Sequence, residues 1–254
     1  APGPCAHQGH RLGDLDASQR TAALTVVAAV LSDEGFAQVR ELLQADDELA
    51  ASVSDNRAGW GSDNYYLAFY GQPSVDTPWT LQFGGHLLAM HVSLGGGVVS
   101  LSPHFVGVEP TQFTSNGVEV RPMGAENEAA FALLGSLSAD QLSAATSARG
   151  IDDLVMGPGA DANFIDGEGI SVAELSVEQR ALVQDFMALW VEDLAEELSA
   201  DLMATYTAQL DQTSLLFSGS TNAEEDAYLR ISGPRVWIEY ANESGVGGDS
   251  VHYH

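Results

Sequence analysis

Apolar and polar residues alternate in the middle of the chain, which is the pattern of strands with one buried face. Trp79, Leu81 and Phe83 alternate with the polar residues between them. The three glycines at 95–97 indicate a tight turn inside the stretch 78–110. The sequence therefore predicts a central pair of strands joined at these glycines.

Other segments share this strand character. The aromatic run 65–70 ends at a Gly-Gln-Pro-Ser turn signal, and residues 117–120 form a short β-rich segment. Towards the end of the chain, the patterns predict three strands over 215–219, 227–232 and 235–240. We therefore expect an antiparallel sheet built as a meander of hairpins, with aromatic side chains on at least one face.

Helical spacing occupies four other regions, 16–31, 33–53, 126–148 and 176–210. Asp16 with Gln19 has the form of a capping box, and the same form recurs further along. Each box follows a leucine in a Leu-x-x-x-Gln pattern, at Leu15, Leu137 and Leu175. An internal repeat and three independent helix caps explain the pattern equally well.

Together these patterns predict an α+β fold with an antiparallel sheet core flanked by helices. We expect one domain over residues 15–254, preceded by an N-terminal extension over residues 1–14. A chain of 254 residues with 45% apolar residues can bury a sizeable core.

The charge balance excludes some function classes. The formal net charge is −27, and all nine basic residues are arginine. Such a chain repels nucleic acid and anionic membranes, because phosphate binding needs clusters of Lys and Arg. Without lysine, no Schiff base can form. No apolar run approaches the roughly 20 residues of a membrane span, and the acidic excess fits an extracellular or high-salt setting.

The first residues suggest export. Residues 1–4 have the look of a mature end from which a signal peptide has been removed, and the single cysteine, Cys5, excludes an intrachain disulfide. We therefore expect a secreted, extracellular or periplasmic protein.

Several short motifs together resemble a bacterial family of unknown function, DUF3500. The resemblance implies a single α+β unit that is often exported, and it implies no particular activity. It covers nearly the whole chain. The residues that carry it are Leu15, Gln19 and Arg20, the segments 65–74, 78–89, 103–110 and 233–242, and His252-Tyr253-His254.

The chain departs from that family pattern at its histidines. Where family members have a His-His pair, this chain has His86-Leu87, and where they have Asn it has His91. A small polar residue is usual near the position of His104. Family members generally continue past the His-x-His with an aromatic residue and an arginine, whereas the sequence here stops at His254.

The histidines are the main candidates for chemistry. In an extended strand, His252 and His254 share a face, a spacing suited to two imidazoles on one metal ion. His86, at a position that the family pattern retains, is the best candidate for a third ligand, and His104 and His91 are further ones. Three such ligands would suit Zn in hydrolysis or Cu in redox chemistry.

A carboxylate completes this hypothesis. Glu239, in the last predicted strand, would act as acid, base or supporting ligand, and Glu109 is an alternative source of a carboxylate. The competing interpretation is that each histidine only satisfies hydrogen bonds around Trp79 and Trp237, or that the terminal pair is disordered.

Two weaker motifs remain open. Cys5, His7 and His10 could gather around Zn or Cu, or belong to a flexible terminus. The second motif is an acidic, glycine-rich stretch over 150–172 that resembles a calcium loop only loosely, since the full spacing of an EF-hand is absent. Its candidate ligands are Asp161, Asp166 and Glu168.

Two classes of function therefore compete. The first is a secreted metal-dependent hydrolase or oxidoreductase. The second is a non-catalytic extracellular protein that presents aromatic strands to a small molecule, a glycan, a peptide or a further copy of itself. The walls of either site would come from Trp79, Trp237, Tyr65 and Tyr66.

Overall fold

Helices and antiparallel sheets make up the fold, as the sequence predicts. The computed structural model describes residues 8–54, 56, 59–157, 160, 168–244 and 251–254. The chain divides into two compact units, Ala1–Gly107 and Val108–His254. The α+β class is confirmed, and the expectation of one domain over 15–254 stays a prediction.

The first unit is a six-stranded sheet with a pair of helices. Strands β1 to β5 are adjacent in chain order, and β6 pairs with β4. The elements are β1 (His10–Arg11), α1 (Ala17–Ala28), α2 (Asp33–Ser52), β2 (Tyr66–Tyr70), β3 (Trp79–Gly84), β4 (Leu88–Gly95), β5 (Val98–Ser100) and β6 (His104–Val106).

Alternation places the core of this unit on one face of the sheet. Leu81 and Phe83 in β3 are fully buried, as are Met90 and Val92 in β4. Because these residues pair across the two strands, they form one continuous apolar surface. Burying each such side chain contributes about 1.5–3 kcal/mol.

The second unit has a five-stranded sheet, a two-stranded ribbon and four helices among its described residues. The sheet order is β13-β12-β11-β10-β9, and β7 pairs with β8. The elements are β7 (Phe113–Ser115), β8 (Val118–Val120), α3 (Gly124–Ser136), α4 (Ala139–Ala145), β9 (Ile170–Ser171), α5 (Val177–Val191), α6 (Glu196–Ala208), β10 (Ser214–Gly219), β11 (Ala227–Ser232), β12 (Trp237–Ser244) and β13 (Val251–Tyr253).

The two faces of this second sheet differ in chemistry. One face carries apolar residues such as Ile231 and Leu229 and contacts α3, where Asn127 Nδ2 donates to Tyr240 Oη at 2.8 Å. The opposite face carries Tyr228 and Arg230, both fully buried. The guanidinium of Arg230 lies 4.6 Å from the ring centre of Trp237 on the same face.

The two units repeat one topology. The repeat covers residues 10–100 in the first unit and 170–253 in the second. Each repeat begins with a two-residue strand and a 3-10 turn, continues through two helices and a second 3-10 turn, and ends in four antiparallel strands. The pairing register is also the same. Leu67 faces Phe83 in the first unit as Leu215 faces Ile231 in the second.

Local contacts repeat as well. Arg20 binds Asp63 in the first unit, and Arg180 binds Asp211 in the second. The Asp16–Gln19 and Ser176–Gln179 pairs are both true capping boxes. Two of the three Leu-x-x-x-Gln motifs therefore mark an internal structural repeat, and the third caps α4.

The structure corrects some predicted element boundaries. The stretch 78–94 is not one strand, because the chain turns between β3 and β4, where Gly85 N donates to Leu88 O. The segment from 176 to 210 is two helices, since α5 ends at Val191 and α6 begins at Glu196. No described helix is both long and apolar enough to cross a membrane.

Candidate metal centre

The hairpin of β12 and β13 gathers two imidazoles and a carboxylate on one face. β13 is extended, so His252 and His254 project to the same side, as the sequence predicts. Glu243 is the cross-strand partner of His252. The backbone of His254 exchanges hydrogen bonds with Ala241, which fixes the register of the pair.

Donor atoms of these three side chains all lie within 4.8 Å of one another. His254 Nδ1 is 2.8 Å from Glu243 Oε1, and His252 Nε2 is 3.7 Å from the same oxygen. The two imidazole rings meet edge to face, with centres 4.7 Å apart. All three side chains are largely buried, with exposed fractions of 14–21%. This set is the Glu-His-His cluster.

The electrostatic environment treats the two imidazoles differently. Burial, and then the charge of His254, lowers the pKa of His252. Burial also lowers the pKa of His254, but Glu243 and Asp153 outweigh it and raise that pKa overall. These shifts favour the neutral form of His252, which is the form that binds a metal ion, and the protonated form of His254.

One nitrogen of the cluster has no hydrogen-bond partner. His252 Nδ1 is buried, and none of the described residues pairs with it. An unpaired buried polar atom costs about 1–3 kcal/mol, so it points to a partner outside the protein. Two imidazoles and one carboxylate are a donor set of catalytic Zn sites and of non-haem Fe sites.

A fourth polar group reaches this cluster from a neighbouring segment. Asp153 Oδ1 lies 3.4 Å from His254 Nδ1. The strap, residues 151–156, covers the polar face of the sheet and is fixed at two points. Ile151 N donates to Ser218 Oγ at 3.0 Å, and the other point is the carboxylate of Glu239.

Glu239 accepts hydrogen bonds from three donors. The amides of Val155 and Met156 donate to its two oxygens at 2.8 and 2.9 Å, and the hydroxyl of Tyr228 donates to Oε1. This carboxylate therefore holds the strap that carries Asp153. Its predicted role as acid or base stays a prediction.

His86, the predicted third ligand, lies in the turn between β3 and β4 of the first unit. Its Nδ1 is 2.8 Å from Asp46 Oδ1, and its ring centre is 5.5 Å from that of Trp60. The prediction that it joins His252 and His254 stays a prediction.

The other predicted ligands occupy separate settings. His91, in β4, has Nδ1 3.0 Å from Pro103 O. The ring nitrogens of His104, in β6, are buried, and no described residue hydrogen-bonds to them. Burial and then the charge of His91 lower the pKa of His104 to about 4, so its ring is neutral at physiological pH. Glu109 is buried in the second unit, where its charge slightly raises the pKa of His252.

The two weaker motifs fall largely outside the described residues. Cys5 and His7 lie there, whereas His10 lies in strand β1. Asp161 and Asp166 of the loose calcium motif also lie outside. Glu168 binds Arg149 at 2.5 Å.

Sequence reasoning missed Glu243 and Asp153. It ended the last long strand at 240, whereas β12 continues to Ser244. Extending that strand to the glycine-rich segment would have paired Glu243 with His252. No sequence pattern indicated Asp153, because the strap is held by hydrogen bonds from its backbone amides to the side chains of Ser218 and Glu239.

The fold and this cluster define an α+β protein with a candidate His-His-carboxylate metal centre. The family model described as "Protein of unknown function (DUF3500)" matches residues 2–254, so the chain belongs to that family. No match was found among curated proteins or among solved structures.

Proposed function

We propose that the second unit is a metal-dependent hydrolase centre, with Zn bound by Glu243, His252 and His254. The observation that carries the proposal is the convergence of three ligand atoms within 4.8 Å. The burial of all three side chains, with exposed fractions of 14–21%, supports it. A bound Zn ion would lower the pKa of a water ligand and polarise a substrate carbonyl.

The surrounding residues have supporting roles in this proposal. Asp153, 3.4 Å from His254, would orient that imidazole or accept a proton from the attacking water. Glu239 would act through the strap, because it fixes the segment that brings Asp153 to the cluster.

Metal analysis of untagged protein tests this proposal. We expect about one metal ion per chain after dialysis against Zn, and loss of that ion in the combined E243Q/H252N/H254N variant. E174Q serves as the control, since it removes an exposed carboxylate that belongs to no candidate site. Retention of metal by the combined variant contradicts the proposal.

The identity of the ion distinguishes two chemistries. Zn supports hydrolysis, whereas Cu or Fe in the same donor set supports an oxidoreductase. Elemental analysis of untagged protein purified from its native cells without added metal decides between them. The single variant H86N tests whether His86 contributes to binding, as the sequence predicts.

A second candidate function rests on an exposed aromatic patch in the first unit. Phe69 and Tyr70 at the end of β2 are 42% and 47% exposed. The ring centres of Trp79 and Phe69 are 6.1 Å apart. Such a patch would suit a glycan, a peptide or another copy of the chain. Binding here would be insensitive to chelators and would change with F69A.

Export completes the proposal. A net charge of −27 without lysine supports an extracellular or periplasmic setting. Fractionation of the native cells, with the protein followed by mass spectrometry, tests this; finding it only in the cytosol would contradict export.

A further inference from the structure

The first unit contains a second candidate site, which is independent of the metal proposal. Asp46 in α2 is almost completely buried, with 2% of its surface exposed, although it is ionisable. Its Oδ2 accepts from Gly61 N at 2.9 Å, and its Oδ1 faces His86 Nδ1 at 2.8 Å. Burying a carboxylate is costly unless its oxygens are satisfied, and here both are.

This pairing fixes the imidazole of His86. A carboxylate only accepts hydrogen bonds, so Asp46 places the ring proton on Nδ1. The lone pair of Nε2 then faces away from Asp46, and none of the described residues bonds to Nε2. With 29% of its side chain exposed, His86 presents a basic nitrogen to solvent. The indole of Trp60 lies beside the imidazole of His86. The ring centres are 5.5 Å apart and the ring planes are inclined by 32°.

The structural repeat shows that the turn itself does not need this pair. In the first unit, Gly85 N donates to Leu88 O at 2.8 Å, with His86 between them. In the second unit, Gly233 N donates to Val236 O at 2.9 Å. Pro234 stands there in place of His86 and has no ring nitrogen to offer. The same turn forms without the pair, so building the turn does not require it.

We propose that His86, oriented by Asp46 and walled by Trp60, is the general base of a hydrolytic site for small neutral esters that carry a planar ring. The carboxylates of Asp46 and Asp47 and the net charge of −27 disfavour anionic substrates. The planar ring would pack against the indole of Trp60.

The reaction needs only water and the ester. His86 Nε2 takes a proton from water as the water oxygen bonds to the ester carbonyl carbon. The tetrahedral intermediate then breaks its bond to the alcohol oxygen, which receives the proton back from Nε2. The products are a carboxylic acid and an alcohol, and His86 is regenerated. His86 is the catalytic residue and Asp46 is the positioning residue.

Hydrolysis of 4-nitrophenyl acetate by the full chain tests the proposal. We expect H86N to lower kcat/KM by about 100-fold, within the usual range for general-base catalysis. The assay is run on protein dialysed against EDTA, so that the proposed Zn centre does not contribute. The control variant E174Q, at an exposed side chain, should leave the rate unchanged. The proposal is overturned if H86N keeps the wild-type kcat/KM, or if the wild type is no faster than free imidazole at equal concentration.

D46N distinguishes catalysis from support of the fold. The amide oxygen of Asn can still accept from Gly61 N, but its NH₂ group would then donate to His86 Nδ1 and move the ring proton to Nε2. We expect a loss of about 100-fold in kcat, an unchanged Tm, and a tautomer change seen by ¹⁵N NMR. A tautomer change with full activity overturns the proposal, even if H86N fails to fold.

Discussion

The two units share a scaffold but carry different chemistry. Where the second unit has Glu243 and His254, the equivalent strand positions of the first unit hold Gly95 and Ser100. Where the first unit has His86, the second has Pro234. Residues that build turns and caps are shared by both units, whereas residues able to bind or react are not.

This difference separates structural from functional roles within one chain. A residue present at the matching position of both units is explained by the scaffold that both must form. The Glu-His-His cluster and the Asp46–His86 pair have no such counterpart. Each unit therefore acts as a control for the other, and the comparison can be tested.

The largest effect is expected at a glycine that both units share. Gly9 and Gly169 have φ of +102° and +93°, and a Cβ at either would lie 2.2 Å from the carbonyl oxygen of Leu67 or Leu215. We expect G9A and G169A each to lower the free energy of unfolding by about 3 kcal/mol, measured by urea denaturation.

G135A is the matched control for this pair. Gly135 lies within α3. Apart from its own helix backbone and chain neighbours, no atom of the described residues lies within 4 Å of the Cβ it would gain. This substitution should be neutral or stabilise by up to about 1 kcal/mol. If G9A and G169A differ strongly from each other, the two units are not energetically equivalent.

The next effect should be confined to the second unit. Zn at 100 times its dissociation constant should raise the free energy of unfolding by about 2.7 kcal/mol, because it binds only the folded cluster. The E243Q/H252N/H254N variant should show no such gain in thermal denaturation with and without Zn. An equal gain in that variant would place the ion elsewhere.

A smaller effect concerns a buried carboxyl group of the second unit. Burial and then the charge of Glu126 raise the pKa of Asp193 to about 8, whereas Val30 occupies the matching turn of the first unit. The folded state therefore holds a proton that the unfolded chain loses near pH 4. This contribution to stability is complete below pH 4 and is lost as the pH rises to 8.

D193N removes that titration. Relative to the wild type, the variant should become more stable by about 1.4 kcal/mol for each pH unit between pH 5 and pH 7, since its amide stays neutral. Urea denaturation at each pH measures the difference. A difference that is constant across this pH range would contradict the shifted pKa of Asp193.

The smallest effect is expected at the shared ion pairs. Arg20 binds Asp63 at 2.7 Å, Arg180 binds Asp211, and both carboxylates are mostly exposed. Double-mutant cycles for each pair should give coupling energies of about 0.5 kcal/mol that fall in 1 M salt. A coupling energy above 2 kcal/mol in only one unit would show that the two ion pairs are not equivalent.

Patterns of local origin were predictable from the sequence. The capping box at Asp16 and the alternation through Trp79, Leu81 and Phe83 each depend on neighbours a few residues apart. The shared face of His252 and His254 follows from strand geometry in the same way. These features survive in the structure because tertiary packing reinforces the local preference.

Features that depend on long-range pairing were not predictable in this way. The partner of His252 is set by where β12 ends, and the placement of Asp153 is set by Glu239, 86 residues further along the chain. The approach of Asp46 to His86 joins a helix to a turn 40 residues away. Periodicity contains no information about such contacts.

The strap is held by the side chains of Ser218 and Glu239, although a ladder of backbone hydrogen bonds continues in the strands beneath it. Loss of the hydrogen bonds to these two side chains would leave the backbone ladder of the sheet unbroken. The amide protons of Val155 and Met156 should therefore exchange with solvent through local opening, long before those of β11. Local opening of the strap would therefore expose the polar face around Arg230 to solvent without unfolding the sheet.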